Sequence, residues 1–353
     1  PHYQRDDGVS LPAGRHGTGL VSLQTLILLL EIGRSRREKG QSFILAMEEP
    51  ELHVPPGLQR RLIGEAIGVA NQVICTTHSP RVAAFFEPEK IQILKKEKWR
   101  LEGLSLASSS MVNEPNPVIQ LYTDDRTRLV EALMFPRVLI PEGRTDAEWL
   151  QLLLDIVETG ERSKCLSQNL VPPFGSVIGI VPTRNSAVRV TFEKLRRLHQ
   201  KVLALVDGDE AGDNYVKELL KCDPPPITVI QWPLGWSIED AVGWVIAADE
   251  AKILPEINRR LEREFGQISE LISALKNDQG QSGGMKTHYL AHKEIASAIK
   301  RSESGVKRVE FLLEALTRAS MWQHEDFVNL IVNNELSTER VKVYRFRYDI
   351  DTV

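Results

Sequence analysis

Residues 203–213, LALVDGDEAGD, decide how this chain folds. An apolar run ends at Asp207, Gly208 separates that acid from Asp209, and Gly212 follows three residues later. A short, evenly apolar run bounded by glycine and acids reads as a strand buried on both faces of a parallel sheet. LIPEGRTD (139–146) repeats the arrangement with Glu142, Gly143 and Asp146, and WSIED (236–240) adds Glu239 and Asp240. Open α/β sheets place their chemistry beyond the carboxyl ends of the strands. Several carboxylates gathered there cannot all stay charged without a cation. The cation expected is hard and oxygen-seeking, Mg²⁺ or Mn²⁺. The competing reading is a salt-bridged surface in which Arg144 neutralises Glu142 or Asp146.

Working outward, strands are expected at 137–141, 176–181, 202–206 and 227–232, with helices at 145–158, 186–200 and 211–221 between them. From 246 to about 335 the pattern is mostly helical, with a polar break over 277–288, and 341–350 closes as a strand. Toward the N-terminus, 19–34 is an apolar helix, SFILAMEE (42–49) a buried strand, 56–70 an amphipathic helix, QVICTTHSP (72–80) another buried strand and 90–106 a hairpin. The fold class is therefore α/β, in two parts. The expected boundaries are 1–106, a linker with a short helix over 107–136, and a second α/β domain over 137–353 with a helical insertion at about 246–335.

The chain has 353 residues and a formal net charge of −4, so its whole surface is not an electrostatic trap for nucleic acid. Contact with DNA must come from local basic patches or through metal. Cys75, Cys165 and Cys222 form no CxxC pair and no zinc spacing, which fits a reducing, cytoplasmic compartment. The longest apolar run, near Leu26–Leu30, is too short to span a bilayer, so no membrane partner is expected.

In the N-terminal part, ILAMEEPELHVPP (44–56) has the form of a Walker B strand, with Glu48 and Glu49 at its tip. One acid would hold Mg²⁺ through water and the next would polarise the attacking water. PELH resembles the D-loop of ABC-type ATPases, and TTHSP offers His78 where that class has a switch histidine. GRHGTGL (14–20), with Gly17 and Gly19 opening a helix, resembles a degraded signature motif whose backbone could approach a phosphate. Glu48 departs from the usual Asp. No GxxxxGK[ST] occurs in the chain, so ATP binding is expected only in a full-length protein whose P-loop half lies upstream.

LIPEGRTD followed by LALVDGDEAGD resembles the Toprim domain of topoisomerases, bacterial primases and certain nucleases. The resemblance implies that Glu142, Asp146, Asp207 and Asp209 are catalytic metal ligands, with Glu239 or Asp240 completing a second metal position. A topoisomerase would need a tyrosine nucleophile on a strand-passing scaffold, and Tyr122, Tyr215 and Tyr289 have no such context. A primase would bring zinc cysteines. Water is the simplest nucleophile, which makes the reaction phosphodiester hydrolysis with two metal ions.

An ABC-type ATPase joined to a C-terminal Toprim domain resembles the overcoming-lysogenisation-defect (OLD) family of nucleases, over about residues 10–290. The resemblance implies an Mg²⁺-dependent DNA endonuclease or nickase that an ATPase regulates, and a homodimer in the full-length protein. It also implies a catalytic lysine downstream of the acids, for which Lys286 in GGMKTH stands in the right place. Arg184 and Asn185, at the turn after a strand, could hold a phosphate, and Arg196 and Arg197 could touch DNA. A topoisomerase- or primase-like enzyme, or a DNA-binding or dimerisation module of a larger complex, are the alternative readings.

Overall fold

The computed structural model describes residues 2–4, 10–12, 18–52, 54–107, 111, 114–158, 171–184, 187–278, 283–322, 331–333 and 336–346. The chain divides into two compact units, Pro1–Ser109 and Ser110–Val353.

The first unit begins with β1 (His2–Gln4) paired antiparallel with β2 (Ser10–Pro12). Then come α1 (Thr18–Glu38), β3 (Ile44–Glu48), α2 (Pro56–Val69), β4 (Gln72–Thr76), the single turn α3 (Pro80–Ala83), and the hairpin of β5 (Gln92–Glu97) and β6 (Arg100–Ser105). Strands β3 and β4 run parallel, with Ile44 opposite Gln72 and Glu48 opposite Thr76. Leu45 joins Leu30, Val54, Leu62 and Ala66 in a small core against which Met47 and Val73 pack. Side chains alternate along a strand, so Ile44 and Ile74 point the other way and are exposed. The sequence led us to expect buried strands; among the described residues only one face of this pair is covered.

The second unit opens with α4 (Asn116–Thr123) and α5 (Arg126–Leu133). The order continues β7 (Arg137–Pro141), α6 (Arg144–Glu158), α7 (Phe174–Val177), β8 (Ile178–Ile180), α8 (Val188–Leu198), β9 (Val202–Val206), α9 (Glu210–Leu220) and β10 (Thr228–Gln231). Helices α10 (Ile238–Ile246), α11 (Glu250–Leu261), α12 (Ile268–Lys276), α13 (Tyr289–Ile299) and α14 (Glu303–Ser320) follow, before β11 (Ile331–Asn333) and β12 (Lys342–Phe346). The sheet order is β11-β12-β10-β9-β7-β8, parallel throughout except for β11 against β12.

Every residue of β9 and β10 is buried, as the evenly apolar runs demand. Helices cover the sheet, and their apolar faces form one continuous core that includes Trp149, Leu153, Val242, Ile257, Ile295 and Leu316.

Two boundaries differ from those read in the sequence. The stretch 107–136, expected as a linker with a short helix, contributes two helices, α4 and α5, because Val118, Leu121, Tyr122, Leu129, Val130 and Leu133 are buried there. The last described helix of the expected insertion ends at Ser320, and residues 331–333 form a strand, because Ile331 and Val332 pair with β12. The expected strand 341–350 is β12, and its last four residues lie outside the described residues.

Candidate active site

The register of the parallel strands fixes where the acids meet. Val138 is opposite Val202 and Pro141 opposite Leu205, while Thr228 is opposite Leu203 and Gln231 opposite Val206. Strands β7, β9 and β10 therefore end at one edge of the sheet; β7 and β9 lead directly into acidic segments, and β10 reaches the third through a short loop.

Glu142 follows the last residue of β7, and its Oε2 accepts the backbone N–H of Asp207 at 2.9 Å. The buried Thr183 hydroxyl lies 2.6 Å from the Pro141 carbonyl and 2.8 Å from that of Glu142, fixing the turn. Asp146 sits in the first turn of α6 and is buried, and its Oδ2 accepts the Gly143 N–H at 2.6 Å. Asp209 caps α9 by accepting the Gly212 N–H at 2.8 Å. Two glycines make this tip possible. A Cβ on Gly212 would stand 1.9 Å from the Asp207 carbonyl oxygen, and one on Gly208 would stand 1.7 Å from that of Pro233. Gly208 also exchanges hydrogen bonds with the loop after β10. Its N–H donates to Trp236 and its carbonyl accepts from Gly235, both at 2.8 Å.

The third segment separates its two acids. Asp240 accepts the Ser237 N–H at 2.7 Å and pairs with Lys276 Nζ at 2.6 Å, so it closes the start of α10 and ties it to α12. Glu239 is buried, and its Oε2 lies 2.6 Å from the Ser237 hydroxyl. Its charge acts on both Asp146 and Asp207. Of the pair left open by the sequence, Glu239 faces the other acids, and Asp240 is held by its cap and its lysine.

Electrostatics bind these groups into one system. Burial and then the charge of Glu239 push the Asp146 carboxyl up to about 7. Burial, followed by Asp146, Glu142, Glu239 and Asp209, pushes Asp207 up to about 9. Burial also raises Glu142, against the lowering effect of the Asp207 N–H. The charge of Lys286 acts weakly to lower Asp146, and the Lys286 carbonyl lies 3.5 Å from the hydroxyl of Thr145, the residue before that acid. Arg144 does not act as their counter-ion, since it pairs with Glu148 at 3.0 Å.

The donors are all carboxylate oxygens, which suits Mg²⁺ or Mn²⁺. Asp207 Oδ1 is buried and has no hydrogen-bond partner. Yet no three His, Cys, Asp or Glu side chains among the described residues are arranged to hold a metal ion. The acids form a loose, mutually repelling set that fits a cation by charge and donor type but is not closed into a ligand cage.

A network centred on the buried Gln231, behind Asp207, was not read from the sequence. Gln231 Nε2 donates to the Asp207 carbonyl at 3.2 Å and to Asp213 Oδ1 at 2.7 Å. Arg345 on β12 donates to Gln231 Oε1 and Asp213 Oδ1, each at 2.7 Å. A glutamine at the end of an apolar strand was the available signal.

Of the arginines expected at DNA, Arg184 and Arg196 are engaged within the fold. Arg184 is half-buried and paired with Asp125 at 2.8 Å and Asp124 at 3.3 Å, so it holds α8's approach to α5 instead of standing free for phosphate. Arg196 donates to the Pro224 carbonyl at 3.3 Å and its Nε is buried. Arg197 is exposed. Asn185 lies outside the described residues.

In the first unit, Glu48 ends β3 and is exposed. Glu49 follows at φ 43°, a left-handed backbone that a non-glycine residue adopts only under constraint. Its N–H donates to the Thr76 carbonyl at 2.9 Å. Its Oε1 stands 3.5 Å from His78 Nε2. Glu51 accepts the Thr77 hydroxyl at 2.5 Å and the His78 N–H at 3.1 Å, which fixes the loop after β4 beside the tip of β3. The structure thus brings Glu49 and His78 together. Gly19 lies in the first turn of α1, and Gly17 lies outside the described residues.

The fold and sites define a mixed α/β protein with a five-stranded parallel sheet and an acid cluster at its edge, preceded by a unit with paired strand-tip glutamates and a histidine. Residues 2–83 match the family model of the AAA ATPase domain, which makes the first unit similar to an ATPase-type domain. No curated protein matches the chain. No helix among the described residues is long and apolar enough to cross a membrane.

Proposed function

We propose that this chain is the nuclease-bearing part of an ATPase-linked, metal-dependent DNA endonuclease or nickase of the OLD type, with its second unit a Toprim domain. The observation that carries the reading is the register that ends β7, β9 and β10 together and gathers Glu142, Asp146, Asp207 and Glu239. When bound, two Mg²⁺ or Mn²⁺ ions would activate a water and stabilise the leaving oxygen of a phosphodiester. Glu142, Asp146, Asp207, Asp209 and Glu239 would hold them. Asp207 offers its unpartnered Oδ1, and Gln231 and Arg345 hold its backbone from behind. Lys286 has no ion pair among the described residues and is suited to meet charge on phosphate. Asp240 is assigned to the α10 cap and not to metal.

The match to an AAA ATPase domain and the Glu49–His78 pair support an ATPase-type first unit. The finer reading, an ABC-type ATPase that binds ATP across a homodimer and governs cleavage, requires a P-loop that this sequence does not contain.

Plasmid nicking with Mg²⁺ or Mn²⁺ tests the proposal. Supercoiled DNA should be converted to open circles by the wild type and not by Asp207→Ala or Glu142→Ala. Cleavage undiminished in both variants would remove these acids from the chemistry.

A further inference from the structure

We infer that His292 is a positioning residue that fixes Lys286 against Asp146. The geometry stands by itself; the catalytic consequence rests on the nuclease reading. His292, on α13, is fully buried, and its Nε2 lies 3.0 Å from the carbonyl oxygen of Met285, the residue before Lys286. A carbonyl only accepts, so Nε2 carries the proton and the ring is the neutral Nε2–H tautomer. Nδ1 is then a bare acceptor, and it is buried without a partner. Burial lowers the ring's tendency to take a second proton. An apolar side chain would fill this site without an orphaned nitrogen, so the one bond the ring does make is the reason to have histidine here.

That bond closes a circuit. The His292 ring stacks on Trp149, with centroids 4.6 Å apart and planes at 30°. Trp149 lies on α6 three residues after Asp146, on the same helix face. From Asp146 the path therefore runs through Trp149 and His292 to the Met285 carbonyl and on to Lys286, whose charge acts back on Asp146. Other contacts hold the same loop. Met285 N–H donates to Ala274 at 2.7 Å, Lys286 N–H to Asn277 at 3.0 Å, and His288 N–H to the same Met285 carbonyl at 2.9 Å. The Thr145 hydroxyl lies 3.5 Å from the Lys286 carbonyl. Met285 also buries its side chain in the core, and the His288 ring accepts the Ala291 N–H at 3.0 Å; His292 adds the one buried polar side chain that reaches the loop's backbone among the described residues. It does not face the acids and does not touch the reacting atoms, so its role is exercised through Lys286.

The test compares His292→Phe, which keeps volume and stacking but has no donor, with His292→Gln, which restores an N–H near Nε2. Amide hydrogen exchange at Lys286 and His288 reads the positioning without any substrate. The phenylalanine variant should exchange there about tenfold faster, with the sheet unchanged, and the glutamine variant should return close to wild type. In nicking assays His292→Phe should lower kcat about tenfold or more with KM for DNA little changed, which is the scale of an outer-shell loss. It should add nothing in a Lys286→Ala background. Wild-type exchange in His292→Phe, or an equal loss of activity with and without Lys286, would overturn the inference. Absence of any metal-dependent nicking by wild type would instead overturn the nuclease reading, and the exchange comparison would still decide the role of His292.

Discussion

The backbone N–H of Asp207 donates to Oε2 of Glu142 at 2.9 Å, across 65 residues of sequence. This bond ties the tips of adjacent strands β7 and β9 and sets two acids side by side. It uses one oxygen of Glu142 while Asp207 Oδ1 is left buried with no partner. The pair combines a fixed distance with an unsatisfied polar atom, and the predictions below follow from that combination.

Stability without divalent metal should fall as pH rises. The carboxyls of Asp146 and Asp207 titrate at about 7 and about 9 in the fold, against an ordinary 3.8. Between those values the folded state holds protons that the unfolded chain has lost, so unfolding becomes easier with increasing pH. The stabilising effect of protonation is complete below 3.8 and is lost through about 7 for Asp146 and about 9 for Asp207. Thermal melts in chelator should show a falling midpoint across that window, and Asp207→Asn should flatten it. A midpoint that rises with pH over the same range would contradict the coupling.

Metal binding should release protons and tighten with pH. A divalent ion competes with the protons on Asp146 and Asp207. Titration calorimetry with Mn²⁺ in buffers of different ionisation heat should therefore show proton release at pH 7, and affinity should climb between pH 7 and pH 9. Binding that is independent of buffer and of pH would place the ion elsewhere.

Glu239 and Asp240 should behave as different kinds of residue. Glu239→Gln should weaken Mn²⁺ binding by about tenfold or more, since it removes charge from the acid cluster. Asp240→Ala should leave affinity within about threefold of wild type. Its loss should appear in stability, at about 1 kcal/mol for an N-terminal cap. The reverse pattern would exchange their assignments.

Gly212→Ala should destabilise the unit by about 1–3 kcal/mol and abolish nicking, because the added carbon would stand 1.9 Å from the Asp207 carbonyl oxygen. Denaturant unfolding alongside the nicking assay measures both. An alanine variant as stable and as active as wild type would mean that the strand tip is looser than described.

Glu142 and Asp207 were legible because each ends an apolar run beside a glycine, a local pattern that survives without tertiary information. Their convergence was also legible, since parallel strands end on one side of a sheet. The status of Arg184 was not, because its partners Asp124 and Asp125 lie in a stretch that lacks a clear periodic signal and read as a linker. The choice between Glu239 and Asp240 depended on Ser237 and on Lys276, 36 residues beyond Asp240, which no local pattern connects. Gln231 closes an apolar strand and His292 sits in a mixed helix, and only their hydrogen-bond partners distinguish them from ordinary core polarity.

The most direct test of the central claim is anomalous diffraction from crystals soaked in Mn²⁺. The account predicts two peaks about 3.5–4 Å apart at the sheet edge, ligated by Glu142, Asp207 and neighbouring acids, with Asp207 Oδ1 among the ligands. Crystals that diffract well in millimolar Mn²⁺ yet show no peak between β7, β9 and α10 would contradict it.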